Sequence, residues 1–298
     1  MNPTLQKTLV FSRMVMDTVN RTGEYRLDAS GKGINVSRVL TQLGKDNCHL
    51  TQLGGTFRPL FLELCGQDKL KVEWVESNSS IRFCYTLIEK TEKKVTELVE
   101  ESETVEPGTE KRLLESFSAL IKNFSTLIIS GTRAAGFSDD LIPEMVRQAR
   151  AEGCRIILDI RGKDLLNSLA FYPDLIKPNL FEFISTFAPE LISQNSVKGS
   201  DTEVKELTGK IWADLYNKYK CSLVLTRGNK PVWFAEKEKL EEFPFKCNKP
   251  LNTTGSGDAF TAGLAAALDH GSSFREAVAN GVRCGNLNAL LLRPGVII

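Results

Sequence analysis

Short apolar runs rich in β-branched residues alternate with helical patterns through the C-terminal two-thirds of this chain. The helical pattern at residues 139–153 ends at a glycine and separates the first two of these runs. The runs lie at residues 125–131, 155–159, 175–177 and 222–226. Continuous apolar strands need cover on both faces, so this alternation predicts an α/β fold with a mainly parallel sheet between helices.

Two segments break the alternation and predict a small accessory sheet. Residues 82–100 contain the runs Phe83–Glu89 and Lys94–Val99 on either side of a polar turn, which is a hairpin pattern. Residues 10–28 are irregular and mixed in polarity. We therefore expect one domain over residues 1–298, with β lid segments at approximately 10–28 and 82–100.

The charge balance excludes several classes of partner. Lysine and arginine number 38 against 37 acidic residues, so bulk attraction to nucleic acid or to an anionic membrane is not expected. The chain has no run of 18 apolar residues that would predict a transmembrane helix, and its first residues lack the apolar region of a signal peptide. The seven scattered cysteines form no CxxC motif, which favours reduced thiols and a cytoplasmic location.

The strongest local motif is Thr254–Asp258, which directly precedes a long apolar helix at Ala259–Leu268. Glycines 255 and 257 flank Ser256 at a helix N-terminus, where free N–H groups and the positive end of the helix dipole favour an anion. Asp258 follows in the first turn and is a candidate general base. An aspartate that merely complements the dipole fits the local pattern equally well.

Two weaker motifs offer further candidates. Ser30–Asn35 is a glycine-rich turn that leads into a helix, and its Lys32 could present a cation to a phosphate or hydroxyl group. Lys177–Glu182 closes a strand, and its Asn179 and Glu182 could hold metal-bound water. By themselves, these motifs are also typical of an ordinary loop-to-helix junction and an ordinary strand end.

Taken together and in this order, the three motifs resemble those of the ribokinase-like (PfkB) carbohydrate kinase family. Gly31–Asn35 resembles its GGKGxN motif, Lys177–Glu182 its KPNxxE motif and Thr254–Phe260 its TxGAGDxF motif. The resemblance covers nearly the whole chain and is greatest for 1-phosphofructokinases and tagatose-6-phosphate kinases. It implies a ribokinase-like αβα sandwich with a small β lid, and an ATP-dependent transfer to a phosphorylated ketohexose with Mg²⁺ as cofactor.

The resemblance also implies roles for individual residues. Asp258 would be the base, and the backbone of Gly255, Ser256 and Gly257 would stabilise the transferring phosphoryl group. Mg²⁺ would be held through water by Asn179 and Glu182. Substrate binding is expected from Gln6, Gly31, Lys32, Gly33, Asn35, Arg82 and, less strongly, Arg21. Nucleotide binding is expected from Thr226, Gly228, Thr254 and Asn288. A homodimer through the β lid would follow the same analogy.

The chain departs from the family pattern at several positions. Gln6 replaces an aspartate that binds sugar hydroxyls, Ser30 replaces the first glycine of its motif, and Asn252 replaces an acidic residue. Such relatives also have several strand residues before the position of Met1. Either a start upstream of Met1 or a shortened first strand would account for this, and the second would expose unpaired backbone in the core.

These departures keep three hypotheses open. The first is a kinase for a phosphorylated ketohexose, such as fructose 1-phosphate or tagatose 6-phosphate. The second is a kinase for an unphosphorylated sugar or a nucleoside, and the third is a sensor that binds sugar or nucleotide without catalysis. Convergence of Lys32, Arg82 and Arg21 on one cleft would favour the first hypothesis.

Overall fold

The computed structural model describes residues 1–194, 196–245 and 250–298, so Cys247 lies outside the described residues. The β-strands are β1 (Thr4–Phe11), β2 (Glu24–Ser30), β3 (His49–Gly54), β4 (Val72–Ser80), β5 (Arg82–Glu89), β6 (Lys94–Val99), β7 (Thr126–Ser130), β8 (Arg155–Asp159), β9 (Leu175–Ile176), β10 (Ile192–Ser193), β11 (Ser196–Val197), β12 (Ser222–Leu225), β13 (Val232–Ala235) and β14 (Glu241–Phe243).

The helices lie between these strands, as the alternating pattern predicts. The α-helices are α1 (Lys32–Gln42), α2 (Arg58–Gln67), α3 (Thr109–Leu120), α4 (Leu141–Ala151), α5 (Gly162–Ser168), α6 (Leu180–Phe187), α7 (Asp201–Tyr219), α8 (Ser256–Asp269) and α9 (Phe274–Ala289). Short 3₁₀ turns occupy Ile121–Asn123, Leu169–Phe171 and Pro189–Leu191. Among the helices that the structure describes, none is long and apolar enough to cross a membrane.

The larger sheet has the strand order β14-β13-β12-β9-β8-β7. Strands β7, β8, β9 and β12 are parallel, whereas β13 and β14 run antiparallel at one edge. The side chains of β8, β9, β12 and β13 are largely buried, and separate apolar clusters lie on the two faces of the sheet. The predicted sandwich with a mainly parallel sheet is therefore confirmed.

A second sheet of four strands, here called the lid sheet, has the order β2-β1-β5-β6. Strands β5 and β6 pair antiparallel, as the hairpin pattern predicts. β1 pairs antiparallel with β2 and parallel with β5. The lid sheet thus also takes in residues 4–9, which the sequence pattern did not assign to it.

Strands β3 and β4 form a separate parallel pair. In the described part of the chain, one edge of β3 and one edge of β7 have no strand partner. A cavity of about 360 Å³ separates them, lined by Met1 and by residues 47–50 and 124–132.

Candidate active site

Helix α8 begins at a turn that only glycine fits. Gly255 precedes the helix with a φ of 81°, in the left-handed region. A Cβ at this position would lie 2.7 Å from the backbone nitrogen of Gly295. Gly295 in turn contacts Asn35, where an added Cβ would lie 2.7 Å from its Cα. These close approaches bring the start of α8 against α1.

The first turn of α8 is open to an anion. Outside its own helix and chain neighbours, no atom of the described residues lies within 4 Å of the place that a Cβ of Gly257 would occupy. The Ser256 N–H donates to the carbonyl of Thr253 at 3.1 Å, so the turn itself uses this amide. Asn252 braces the turn, because its side-chain carbonyl accepts from Thr254 N–H at 3.0 Å and its amide donates to the carbonyl of Leu292.

Asp258 lies buried in that first turn. The amide of Asn35 donates to its Oδ2 at 2.8 Å. Burial raises the pKa of Asp258 to about 6; the charge of Asp159 adds to this rise, while Lys32, Asn35 and Lys177 oppose it. A carboxylate with a pKa near neutrality can accept a proton from a hydroxyl group at physiological pH.

Lys32 lies beside this carboxylate at the start of α1. Its Nζ is 3.8 Å from Oδ1 of Asp159 and 3.4 Å from Oε1 of Glu182. Asp159 contributes most to raising the pKa of Lys32 and outweighs the effect of burial, with Glu182 and Asp258 adding to it. Lys32 is therefore a cation among the carboxylates of Asp159, Glu182 and Asp258; together with Lys177, we call these side chains the cleft floor.

Asp159, which the sequence analysis missed, ends strand β8 and is buried. Its carboxylate accepts hydrogen bonds from the hydroxyls of Ser130 and Thr261, each at 3.0 Å, and lies 3.4 Å from Nζ of Lys177. Burial alone would raise its pKa, but Lys177, Lys32 and the two hydroxyls hold it below its ordinary value. A charged residue at the carboxyl end of an apolar run was the signal that could have found it.

Asn179 and Glu182 form a capping box at the start of α6. The Asn179 side chain accepts from Glu182 N–H at 2.8 Å, and the Glu182 carboxylate accepts from Asn179 N–H at 2.9 Å. Among the described residues, no group of three or more His, Cys, Asp or Glu side chains could hold a metal ion. The Oε1 of Glu182 still faces the cleft at Lys32, which suits Mg²⁺ bound mainly by phosphates and water.

The glycine-rich turn before α1 packs against His49 and helps to orient Asn35. Gly31 has a φ of 111° and precedes the helix. Gly33 packs against His49, since a Cβ there would lie 2.7 Å from the ring of this partly buried residue. The hydroxyl of Ser30 donates to the side-chain carbonyl of Asn35 at 3.2 Å. Ser30 thereby helps to turn the amide of Asn35 toward Asp258.

One face of the lid sheet turns toward this site. In register, Gln6 lies opposite Asp28 and Cys84, and Thr86 lies opposite Glu97, so these side chains share one face. Glu97 accepts a hydrogen bond from the hydroxyl of Thr254 at 3.1 Å. Gln6 is buried and donates to the hydroxyl of Thr86 at 2.7 Å. We call the neutral side chains of Gln6, Thr8 and Thr86 the lid face; Asp28 lies on the same side of the sheet and pairs with Arg26 and Arg293.

The three cations expected to bind phosphate do not all converge. Arg82 lies opposite Thr4, and Thr4 also pairs with Ser30, which is close to Lys32 in the chain. The guanidinium of Arg82 donates to the carbonyl of Glu100 at 2.8 Å. Arg21 is exposed and precedes Glu24, which pairs with Val10 at the other end of the lid sheet. At ~3.3 Å per residue, the two ends lie roughly 20 Å apart. Arg21 is therefore not brought to the cleft that Lys32 and Arg82 border.

The residues expected near the nucleotide also differ in position. Thr226 forms an isolated parallel bridge with Asn179, and exposed Gly228 follows it. Asn288 is fully buried, and its amide donates to the carbonyl of Arg293 at 3.1 Å. Its amide thus holds the C-terminal turn, while its Oδ1 has no hydrogen-bond partner among the described residues.

Comparisons with known proteins agree with this architecture. The pattern of the pfkB family carbohydrate kinases matches residues 7–293. The tagatose-6-phosphate kinases of two Staphylococcus epidermidis strains are each 26% identical over 299 residues, covering 100% of this chain and 93% of the relative.

Solved structures match over a similar length. A possible 1-phosphofructokinase from Thermotoga maritima superposes with a TM-score of 0.85 at 20% identity, covering 98% of this chain and 91% of the other. Phosphofructokinase-2 from Escherichia coli, in complex with substrates and products, gives a TM-score of 0.82 at 21% identity, with coverages of 97% and 91%.

The fold and its cleft thus define a carbohydrate kinase of the ribokinase-like class. The chain belongs to the pfkB family of carbohydrate kinases and is an ATP-dependent phosphotransferase.

Proposed function

We propose that this kinase transfers the γ-phosphoryl group of ATP to a hydroxyl of a phosphorylated ketohexose, such as fructose 1-phosphate or tagatose 6-phosphate, with Asp258 as general base. The observation that carries the proposal is the buried Asp258 at the open start of α8, with a pKa near 6 and an amide donor from Asn35. Two relatives named tagatose-6-phosphate kinase support the substrate class.

In this proposal, Asp258 takes the proton of the attacking hydroxyl as its oxygen bonds to the γ-phosphorus. The bond from that phosphorus to the bridging oxygen of ADP breaks in the same displacement, so the products are ADP and a sugar bisphosphate. Asn35 holds one carboxylate oxygen of Asp258 by its amide, which leaves the other oxygen for the hydroxyl.

Charge that develops on the phosphoryl oxygens needs cationic and N–H partners. Lys32 supplies the cation at the cleft floor, and the first turn of α8 supplies N–H groups and the positive end of its dipole. Mg²⁺ bound to the ATP phosphates would neutralise further charge, with Glu182 as its protein partner through water and Asn179 orienting Glu182.

The sugar would lie between the lid face and the floor. Gln6 keeps a side-chain carbonyl for a sugar hydroxyl, because its amide nitrogen donates to Thr86. Arg82 borders the same end of the cleft as Lys32 and is our candidate for the phosphate already on the sugar. The position of Arg21, away from this site, supports the second hypothesis, a kinase for an unphosphorylated sugar or a nucleoside. A site with fewer cations suits such a substrate.

A panel of acceptors tests these alternatives. ADP release should be measured with Mg²⁺-ATP over phosphorylated and free sugars and nucleosides, with Arg82→Gln beside the wild type. We expect activity on a ketohexose phosphate and a raised KM for it in Arg82→Gln. Turnover of free sugars only would favour the second hypothesis, and no ADP release from any acceptor would favour a sensor.

We also propose a homodimer through the lid sheet. Its edge strands are β2 and β6, and Leu98 and Val99 on β6 are more than half exposed. Exposed apolar side chains on an edge strand favour pairing with another copy. In sedimentation experiments, the wild type should be a dimer and the Leu98→Glu variant a monomer. A monomeric wild type would contradict the proposal.

A further inference from the structure

The carboxylate of Asp159 joins more structural elements than any other group near the cleft floor that we describe. It contacts Ser130 at the end of β7, Lys177 after β9, Thr261 on α8 and Lys32 on α1. It ends β8 itself. Carboxyl ends of parallel strands meet at one edge of a sheet, so Asp159 ties that edge to both helices of the site.

The burial of this carboxylate requires an explanation. Asp159 and Lys177 are each only 2% exposed, and removing two charges from water costs several kcal/mol per ion unless further contacts offset it. The two hydroxyls supply such contacts. An apolar pair would fill the same space without that cost, so stability alone does not account for the pair.

The contact to Lys32 supplies a functional reason. Oδ2 of Asp159 faces Lys177 and Thr261, while Oδ1 faces the ammonium of Lys32 at 3.8 Å. The stem of Lys32 packs on Gly131, where a Cβ would lie 3.1 Å from that of Lys32. The ammonium of Lys177 therefore fixes the carboxylate of Asp159 in place. Asp159 in turn holds the ammonium at the end of the long, flexible Lys32 side chain.

We propose that Asp159 is a positioning residue for phosphoryl transfer, which holds the ammonium of Lys32 at the cleft floor beside Asp258. This role rests on the proposed function. It acts through Lys32 and through its negative charge near Asp258, and it requires no contact between Asp159 and substrate. A misplaced cation would stabilise the developing charge less well, and misplacement by ~1 Å can cost about 10²-fold in rate.

A double-mutant cycle separates positioning from a structural role. Asp159→Asn should lower kcat by about 10–100-fold with little change in the KM for sugar, since substrate does not contact it. In a Lys32→Met background the same change should lower kcat by less than about threefold, because the side chain it positions is gone. Equal losses in both backgrounds would overturn the proposal.

The pH profile provides a second measurement. The groups that face Asp258 are Lys32 and Asn35 from α1, Asp159 from β8 and Lys177 after β9. The negative charge of Asp159 raises the pKa of Asp258, so Asp159→Asn should lower that pKa. The acid limb of kcat/KM should therefore move to lower pH. An unmoved limb, together with normal kcat, would show that Asp159 only supports the fold.

A folding control keeps the test decisive. Asp159→Asn leaves Lys177 buried without its counter-ion, which can unfold the chain. Asp159→Asn combined with Lys177→Met removes both charges of the buried pair and leaves an apolar side chain near the Phe260 ring, so it should fold yet still show the lower kcat. Asp174→Asn changes a carboxylate at the amino end of β9, away from the cleft, and should keep wild-type kcat.

The outcomes distinguish the two proposals. If wild type releases ADP and Asp258→Asn does not, while the folded Asp159 variants match wild type, only the role of Asp159 fails. If wild type releases no ADP with any acceptor, the proposed function fails and the positioning role fails with it.

Discussion

The cleft floor, apart from the partly exposed Lys32, and the lid face are both buried, yet they satisfy their polar groups in opposite ways. The floor consists of charges that are paired with one another: Asp159 with Lys177, and Lys32 with Asp159 and Glu182. The lid face relies on neutral groups, since Gln6 donates to Thr86 and the hydroxyl of Thr8 has no partner among the described residues. Charges suit the transfer of a charged group, and neutral groups suit recognition of hydroxyls.

This difference suggests how the two regions tolerate change. A floor charge is held by several others, so replacing one leaves its partners buried and unpaired. A lid residue shares one or two neutral hydrogen bonds, which are worth about 1 kcal/mol each. We therefore expect losses of turnover from the floor and changes of substrate affinity from the lid, and the predictions below test that division.

The largest effect is expected at Asp258. Asp258→Asn should lower kcat by ~10²–10⁴-fold, because the amide cannot take the hydroxyl proton, while ATP binding measured by calorimetry should persist. Asp269→Asn, at the exposed end of the same helix, is the matched control. A near-normal kcat in Asp258→Asn would remove the base from the mechanism.

The same substitution should stabilise the fold at alkaline pH. The folded chain raises the pKa of Asp258 from 3.8 to about 6, so ionising it above pH 6 costs the folded state about 3 kcal/mol. Asparagine removes this cost, and the gain should shrink as the pH falls from 6 toward 3.8. Denaturant unfolding at several pH values measures it, and a gain that is independent of pH would contradict the assignment.

Next in size is the loss of the Lys32 cation. Lys32→Met should lower kcat by about 10²-fold through lost stabilisation of the phosphoryl charge. Lys32 opposes the rise in the pKa of Asp258, so the acid limb of kcat/KM should move to higher pH, opposite to the shift expected for Asp159→Asn. Lys45→Met, whose lysine pairs with Asp269, should change neither quantity. If Lys32→Met changed only KM, Lys32 would contribute to substrate affinity, as expected of the lid face, and not to turnover.

The smallest effect is expected on the lid face. Gln6→Ala should raise the KM for sugar by about tenfold, as expected for the loss of one or two neutral hydrogen bonds, and leave the KM for ATP unchanged. Thr96→Ala, on the opposite face of the lid sheet, provides the control because Thr96 pairs with Leu87. A fall in kcat instead of a rise in KM would mean that the lid face takes part in the transfer.

Much of the site could be predicted from sequence because it is local. The turn before α8 needs glycine at Gly255 for its left-handed φ, and Asp258 follows within the same turn. The capping box of Asn179 and Glu182 likewise spans one helical turn. Such patterns predict the start of a helix and the groups exposed there, and the resemblance to a family then gave those groups a function.

Other roles depended on residues far apart in the chain. Asp159 was missed because its partners lie 18 to 127 residues away on four other elements, and no spacing along the chain records them. Gly33 is predicted to bind substrate, and only the tertiary structure shows that packing against His49 also requires a glycine there. Arg21 and Arg82 are both predicted from the sequence to bind the substrate phosphate. Only the register of β1 with its neighbours shows that they lie at opposite ends of the lid sheet.

The sequence by itself determined the α/β alternation, the two glycine turns and the candidate base, because hydrophobic period and backbone conformation are local properties. The tertiary structure alone decided which charges meet. Ion pairs and buried hydrogen bonds depend on distances of a few ångströms between distant segments, and the folding of the sheet sets those distances. For this kinase, that step gave the buried Asp258 a raised pKa beside Lys32 and turned the lid face toward this site.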